Sequence, residues 1–250
     1  VAEAALESGD WLPYAAGDLA SFGEQQLIRQ FRSPLPAHRA DAQRELLRRG
    51  AAGRRALRSV FAGGGADEQT ETWCLWTLGI GAGEAAEDEA FFRGLAGDSQ
   101  CVLNRRIQAV RILADRLHRQ KDRSGLPAEV LQLLSASEPR LRLAAVLAVQ
   151  ESLDRQAMPS VVQLASTEHD RVICYVIWQT MRRLLSEGDL QGLLLAESAG
   201  VRRAAFLALA EDGRVSKAAA ERLAEAEPVA ALWLQRMDSG VEAFVVRGRP

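Results

Sequence analysis

The residues that could do chemistry are few in this chain, and their spacing does not support it. The three histidines, His38, His118 and His169, lie far apart, and none has a partner at i, i+4 to build a metal site on one helix face. They are expected in turns or on the surface. Glu84, Glu87, Asp88 and Glu89 follow Gly81-Ala-Gly83. Paired carboxylates act as acid and base only where burial or like charge raises a pKa. At a helix start the same groups favour the positive end of the helix dipole from a solvated face, and that is their expected role. Gly63-Gly-Gly65 and Gly79-Ile-Gly-Ala-Gly83 lack the preceding strand and the Gly-Lys-Ser/Thr of a phosphate loop, so turns are expected there. No G-x-S-x-G is present. Cys74, Cys101 and Cys174 form neither C-x-x-C nor C-x-x-C-H, which argues against a zinc knuckle and against haem attachment. Each is expected to be a small core residue, Cys174 on an apolar helix face five residues after His169. The expectation is therefore a chain with no catalytic, metal or cofactor-binding residues and no cofactor.

Composition points the same way. The chain has 250 residues, 48% of them hydrophobic, and a formal net charge of -2. That is ample for a core, and the balance speaks against a nucleic-acid partner. Of the 31 basic side chains only Lys121 and Lys217 are lysines. No apolar run is long enough to span a membrane. The sequence begins Val1-Ala2-Glu3 with neither an initiator methionine nor a signal peptide, so it is expected to be a piece of a longer polypeptide.

The elements that carry these residues follow from periodicity. Apolar residues recur at i, i+3, i+4 and i+7 along nearly every long segment, which predicts helix throughout. Val201-Arg-Arg-Ala-Ala-Phe-Leu-Ala-Leu209 and Leu141-Arg-Leu-Ala-Ala-Val-Leu-Ala-Val149 share one pattern, and Val172–Thr180 and Arg105–Leu113 follow it loosely. The small position falls at Ala42, Cys74, Ala109, Ala145, Val176 and Ala205, with a large apolar residue four later in all but the loose copy at Val176. A weaker copy centres on Trp233. A period of 29–36 residues is that of two helices and two turns, roughly the length of known helical repeats. The small residue admits a neighbouring helix and the large one fills the groove beside it. Partner helices are expected near 24–32, 52–62, 86–96, 127–135, 156–165, 189–196 and 214–225. Pro127 opens one of them, and Gly50, Gly188 and Gly213 stand at helix ends. The fold class is all-α: an α-α superhelix of about six to seven antiparallel helix pairs. Residues 1–17, with Trp11 and Tyr14, form a lead-in segment. The array covers 18–238, and 239–250 is a tail or linker, with a partly alternating pattern that suits a short strand.

The helix-pair pattern resembles HEAT-like repeats. Asp18–Ile28, Arg39–Gly50 and Leu75-Trp-Thr-Leu-Gly79, with Gly200–Leu209 and Ala231-Leu-Trp-Leu234, look like a narrower setting. That setting is the HEAT region of large bacterial membrane-bound-dehydrogenase-like proteins with a PVC-type haem-binding domain. The likeness covers residues 18–236. It implies a non-catalytic scaffold between a sugar-dehydrogenase-like propeller and a cytochrome c module, both absent from this sequence. It also implies a periplasmic or secreted location; without it the cytoplasm is expected. Some HEAT-like solenoids act instead as DNA glycosylases or bilin lyases. A glycosylase would need a basic concave face with aromatics and a buried carboxylate.

The expected function is thus to hold a protein, or a neighbouring domain of the same parent chain. Charge is blocked along the sequence: nine arginines against Asp41 and Glu45 over 29–58, then eight acids against Arg93 over 59–100, then seven bases against two acids over 101–125. Such blocks either pair between repeats or steer a partner. Trp73, Trp76, Tyr175, Trp178 and Trp233 recur in second helices and are expected to be mostly core, with Trp178 the preferred groove residue. Trp178 and the second-helix arginines Arg105, Arg142, Arg171, Arg182 and Arg203 are the candidate protein-interaction residues.

Overall fold

The computed structural model describes residues 19–63, 65–81, 86–120 and 124–238. The expected lead-in (1–17) and tail (239–250), and Glu84, lie outside them. Fourteen α-helices and four short 3-10 turns account for the described elements, and no strand occurs among them. The chain divides into two compact units, Val1–Arg116 and Leu117–Pro250.

In the first unit the helices are α1 (Glu24–Arg29), α2 (Pro36–Arg48), α3 (Ala51–Gly63), α4 (Glu68–Gly81) and α5 (Ala86–Gly97), and α6 (Leu103–Gln120) crosses the boundary. The second holds α7 (Ala128–Leu131), α8 (Pro139–Ser152), α9 (Met158–Ala165), α10 (Arg171–Leu184), α11 (Glu187–Leu193), α12 (Ala199–Glu211), α13 (Lys217–Leu223) and α14 (Pro228–Asp238). The odd-numbered helices match the expected partner helices to within a few residues. Three of those positions are extended by 3-10 turns, after α1 at Gln30–Arg32, after α7 at Gln132–Ser135 and before α9 at Arg155–Ala157.

Local chemistry sets the boundaries. Asp170 accepts hydrogen bonds from the Val172 and Ile173 N–H groups and starts α10. Ser186 and Asp189 form a capping box on α11, while Ser198 and Ser216 cap α12 and α13. Pro36 and Pro139 open α2 and α8, where a missing N–H costs nothing. Gly50 and Gly213 follow α2 and α12 with positive φ, as expected. Gly188 does not end a helix; it sits in the first turn of α11. Gly79 and Gly81 belong to the last turns of α4 rather than to a loop. Gly79 is there because an added Cβ would stand 2.6 Å from Cγ2 of Ile112.

The anchor is the seventh residue in six of the seven second helices, and it is small in five of them. Ala42, Cys74, Ala109, Ala145, Ile177 and Ala205 hold that place in α2, α4, α6, α8, α10 and α12, and none is more than 1% exposed. The large residues four later, Leu46, Leu78, Leu113, Val149, Met181 and Leu209, are buried too. One helix departs from the sequence reading: Val176 is only half-buried, and Ile177 takes the anchor place. The pattern Val-Ile-Cys-Tyr-Val-Ile-Trp is apolar at almost every position, so periodicity alone leaves the register open by one residue. Packing resolves it. α10 lies between α8 and α12, whose buried faces are alanine-rich (Ala144, Ala145, Ala148; Ala204, Ala205, Ala208). The larger Ile173, Ile177 and Met181 of α10 fill the space these leave.

Second helices run side by side in one direction within each unit. In the first unit Gln43 of α2 donates to Thr77 of α4, and Glu71, Thr72 and Trp76 of α4 meet Arg105, Asn104 and Gln108 of α6. In the second, Arg142 near the start of α8 pairs with Glu168 just before α10. Arg182 near the end of α10 pairs with Asp212 just after α12. Start meets start and end meets end. The charge blocks of the sequence pair in the same way: Arg32 with Asp67, Arg54 and Arg58 with Asp88, and Arg105 with Glu71.

Candidate protein-binding face

Each second helix of the second unit buries one face and leaves another open. On α10 the buried face is Ile173, Ile177, Thr180, Met181 and Leu184. The opposite stripe is Val172, Tyr175, Gln179 and Arg182 at helical spacing. Val172 is 58% and Tyr175 55% exposed. The Tyr175 ring meets Trp178 edge to face with centroids 5.1 Å apart. Arg182 donates to Gln179 on the same stripe and, at 2.7 Å, to Asp212. The matching fifth and ninth residues of α8 and α12 are Leu143 and Leu147, and Arg203 and Leu207. Arg203 is exposed and the three leucines are half-buried. The result is a strip across three parallel helices, apolar at Leu143, Leu147, Val172, Tyr175 and Leu207 and polar at Gln179 and Arg203, with Arg140 and Arg171 beside its N-terminal half.

The structure sorts the candidate residues. Arg105 is committed inside the first unit: its guanidinium donates to both oxygens of Glu71 and lies 5.6 Å from the centroid of Phe61. Arg142 is similarly engaged. Nε and Nη2 donate to Glu168 at 2.6 and 3.1 Å, and Nη1 donates to the Ala136 and Ser137 carbonyls. Arg202 repeats this device on α12, with Nη1 on the Ala196 and Glu197 carbonyls and Nη2 2.9 Å from Glu227. Arg39 reaches back six residues to the Ser33 carbonyl in the same manner, and Cys174 offers its thiol to the Glu168 carbonyl. Arg182 is half-buried and paired. Arg171, Arg203 and Trp178 remain at the open face, and the structure adds Val172, Tyr175, Arg140, Leu143 and Leu147.

Electrostatics fits a structural role for the paired groups. Burial alone would raise the Glu168 carboxyl, but hydrogen bonds from Arg142 and from the Asp170 and His169 N–H groups hold it below its ordinary value. Burial pushes the Cys74 thiol up to about 12, with Glu71 and Asp67 adding to the effect. Burial likewise raises Cys101 and Cys174. Cys74 is core as expected, whereas Cys101, just before α6, and Cys174, in the first turn of α10, are half-buried. His38 departs from the turn-or-surface expectation: it is in the first turn of α2, buried against Ser33 Oγ, 3.2 Å away, and desolvation lowers its pKa. Asp88 also departs from the solvated-face reading: it is fully buried, 3.8 Å from Arg54 and 3.4 Å from Arg58. None of the aromatics Trp73, Trp76, Tyr175, Trp178 and Trp233 is fully buried. A wide ring with a polar edge keeps one side wet, and the Trp76 indole N–H spends its donor on Gln108.

Among the described residues no group of three or more His, Cys, Asp or Glu side chains could hold a metal ion. No helix among them is long and apolar enough to cross a membrane. One cleft of the second unit, about 680 Å³, is wide open. It lies between the α7 segment and α9, and the Arg142–Glu168 pair forms part of its wall. No family model matches this chain, and no curated protein sequence matches it.

Proposed function

We propose that this chain is a non-catalytic HEAT-type repeat module that holds a protein, or a neighbouring domain of its parent chain, on the open face of α8, α10 and α12. One observation carries the reading: Val172 and Tyr175 stand more than half exposed on one stripe, while every seventh-residue anchor beneath is buried. Single exposed apolar residues are ordinary, but Val172 and Tyr175 stand together on α10 and are flanked by the half-buried Leu143 and Leu147 of α8 and Leu207 of α12, and such a grouping favours a binding surface. Two stacked first- and second-helix layers cannot close on themselves, so a solenoid leaves one such face to its partners. The likeness to the repeat region of dehydrogenase-like bacterial proteins favours a neighbouring domain as that partner.

The test is site-specific photo-crosslinking in the native host. A crosslinking residue at 175 is expected to trap one defined partner or neighbouring domain, while the same residue at Ser160, exposed on α9, traps none. Equal capture at both sites, or none at 175, would overturn the reading.

A further inference from the structure

We propose that the open face of α8, α10 and α12 takes an acidic segment bearing an apolar or aromatic anchor; this rests on the binding-module reading above. Val172, Tyr175 and Leu143 offer flat apolar area, and Tyr175 is held in place by Trp178. Arg140 and Arg171 are exposed and form no ion pair among the described residues. Arg203 is half exposed at its side chain, with Nε 3.6 Å from Glu227. These three lie in the first two turns of adjacent helices that run the same way.

Four acids nearby are already engaged, one of them in part by Arg203. Glu138 accepts from the Arg140 N–H and Asp170 from the Val172 and Ile173 N–H groups, so both serve as helix caps. Glu168 is taken by Arg142 and by the His169 and Asp170 N–H groups. The Glu227 carboxylate is fully buried between Arg202 and Arg203. These carboxylates are already engaged by N–H groups and guanidiniums, while the exposed Arg140 and Arg171 have no ion-pair partner among the described residues and stay open to carboxylates from outside. A few guanidiniums set around an apolar strip fit a few carboxylates around an apolar side chain. They do not fit the regular phosphate spacing of a nucleic acid, which needs a longer basic track.

The experiment uses the full chain and fluorescent peptides of roughly twelve residues, read by anisotropy at low and high salt. One peptide carries glutamates around a central Leu-Phe pair, a second has lysines in place of the glutamates, and a third keeps the glutamates without the apolar pair. A thymine oligonucleotide is the fourth probe. The acidic apolar peptide is expected to bind at least about tenfold tighter than the other three and to weaken with salt. Tyr175→Ala and Arg171→Glu should each weaken it about fivefold or more with helix content unchanged, and Gln163→Ala on α9 should not. Lysine-peptide binding lost on Tyr175→Ala overturns the acidic partner but leaves the docking face. So does the absence of peptide binding when crosslinking at 175 still succeeds. Preferred binding of the oligonucleotide, or a dimer dissociated by Tyr175→Arg, overturns the proposal in favour of nucleic acid or a second copy. If no probe binds and crosslinking at 175 captures nothing, this proposal and the binding-module reading fall together.

Discussion

Replacing Ile177 by alanine should cost far more than replacing its neighbour Val176. Ile177 is the seventh residue of α10, is 1% exposed, and faces a layer in which the flanking helices offer mainly alanines. The substitution removes three carbon groups at about 0.8 kcal/mol each, roughly 2.4 kcal/mol of transfer free energy. The alanine-rich neighbours have no long side chains to move into the gap, so the cavity raises the cost towards about 3–4 kcal/mol. Val176 is half-buried and loses two carbon groups, while alanine gains about half a kcal/mol of helix propensity. Its net cost is therefore about 1 kcal/mol or less. The assay is urea unfolding followed by far-ultraviolet circular dichroism and by tryptophan fluorescence, with midpoints compared at equal slope. A Val176→Ala variant as unstable as Ile177→Ala would refute the seventh-residue register and the complementarity drawn from it.

Three other outcomes follow from the same contacts. Arg142→Ala should cost about 3 kcal/mol because it strands the buried Glu168 carboxylate and two carbonyls. A double-mutant cycle with Glu168→Gln should recover part of that cost, and Arg142→Lys should recover little. Gly200→Ala should destabilise the second unit despite a gain of about 1 kcal/mol in helix propensity, because its Cβ would overlap the Ala165 carbonyl oxygen; thermal unfolding reads this as a lowered Tm. Hydrogen bonds from Arg48 and then Arg49 hold Glu45 at about 2, below its ordinary 4.5. A depressed carboxylate stabilises above its unfolded pKa, and that contribution is lost as pH falls from about 4.5 through about 2. Arg48 is largely exposed, so water screens the pair and the contribution is about 1 kcal/mol. The stability gap between the native chain and Glu45→Gln should be open at pH 7 and shrink across that window.

The helices were legible because their signals are local. Ala42, Cys74, Ala109, Ala145 and Ala205 stand out as small residues inside apolar runs, and the caps at Asp170, Ser198 and Ser216 sit beside the turns they define. α10 was not legible to the residue. Its run of Val, Ile, Cys, Tyr and Trp carries no small residue to mark the anchor, and only the alanines of α8 and α12 specify which isoleucine turns inward. That one-residue ambiguity also hid the open stripe, because it exchanges Tyr175 between core and surface. The arginines posed a different difficulty. Arg142 and Arg171 look alike in sequence, yet one has an acid across the gap to the next helix and the other has none. A pairing partner 26 residues away is set by packing, not by spacing along a helix. The buried Asp88 was missed for the same reason, since Arg54 and Arg58 reach it from another pair.

Oxidative footprinting of Tyr175 tests the central claim most directly, with the chain alone compared with the chain in its native assembly. In the isolated chain Tyr175 should label readily while the fully buried Phe92 and Phe206 stay protected. In the assembly Tyr175 and Trp178 should become protected together. Tyr175 as protected as Phe206 in the isolated chain, or labelled equally in both states, would contradict an open face that a partner covers.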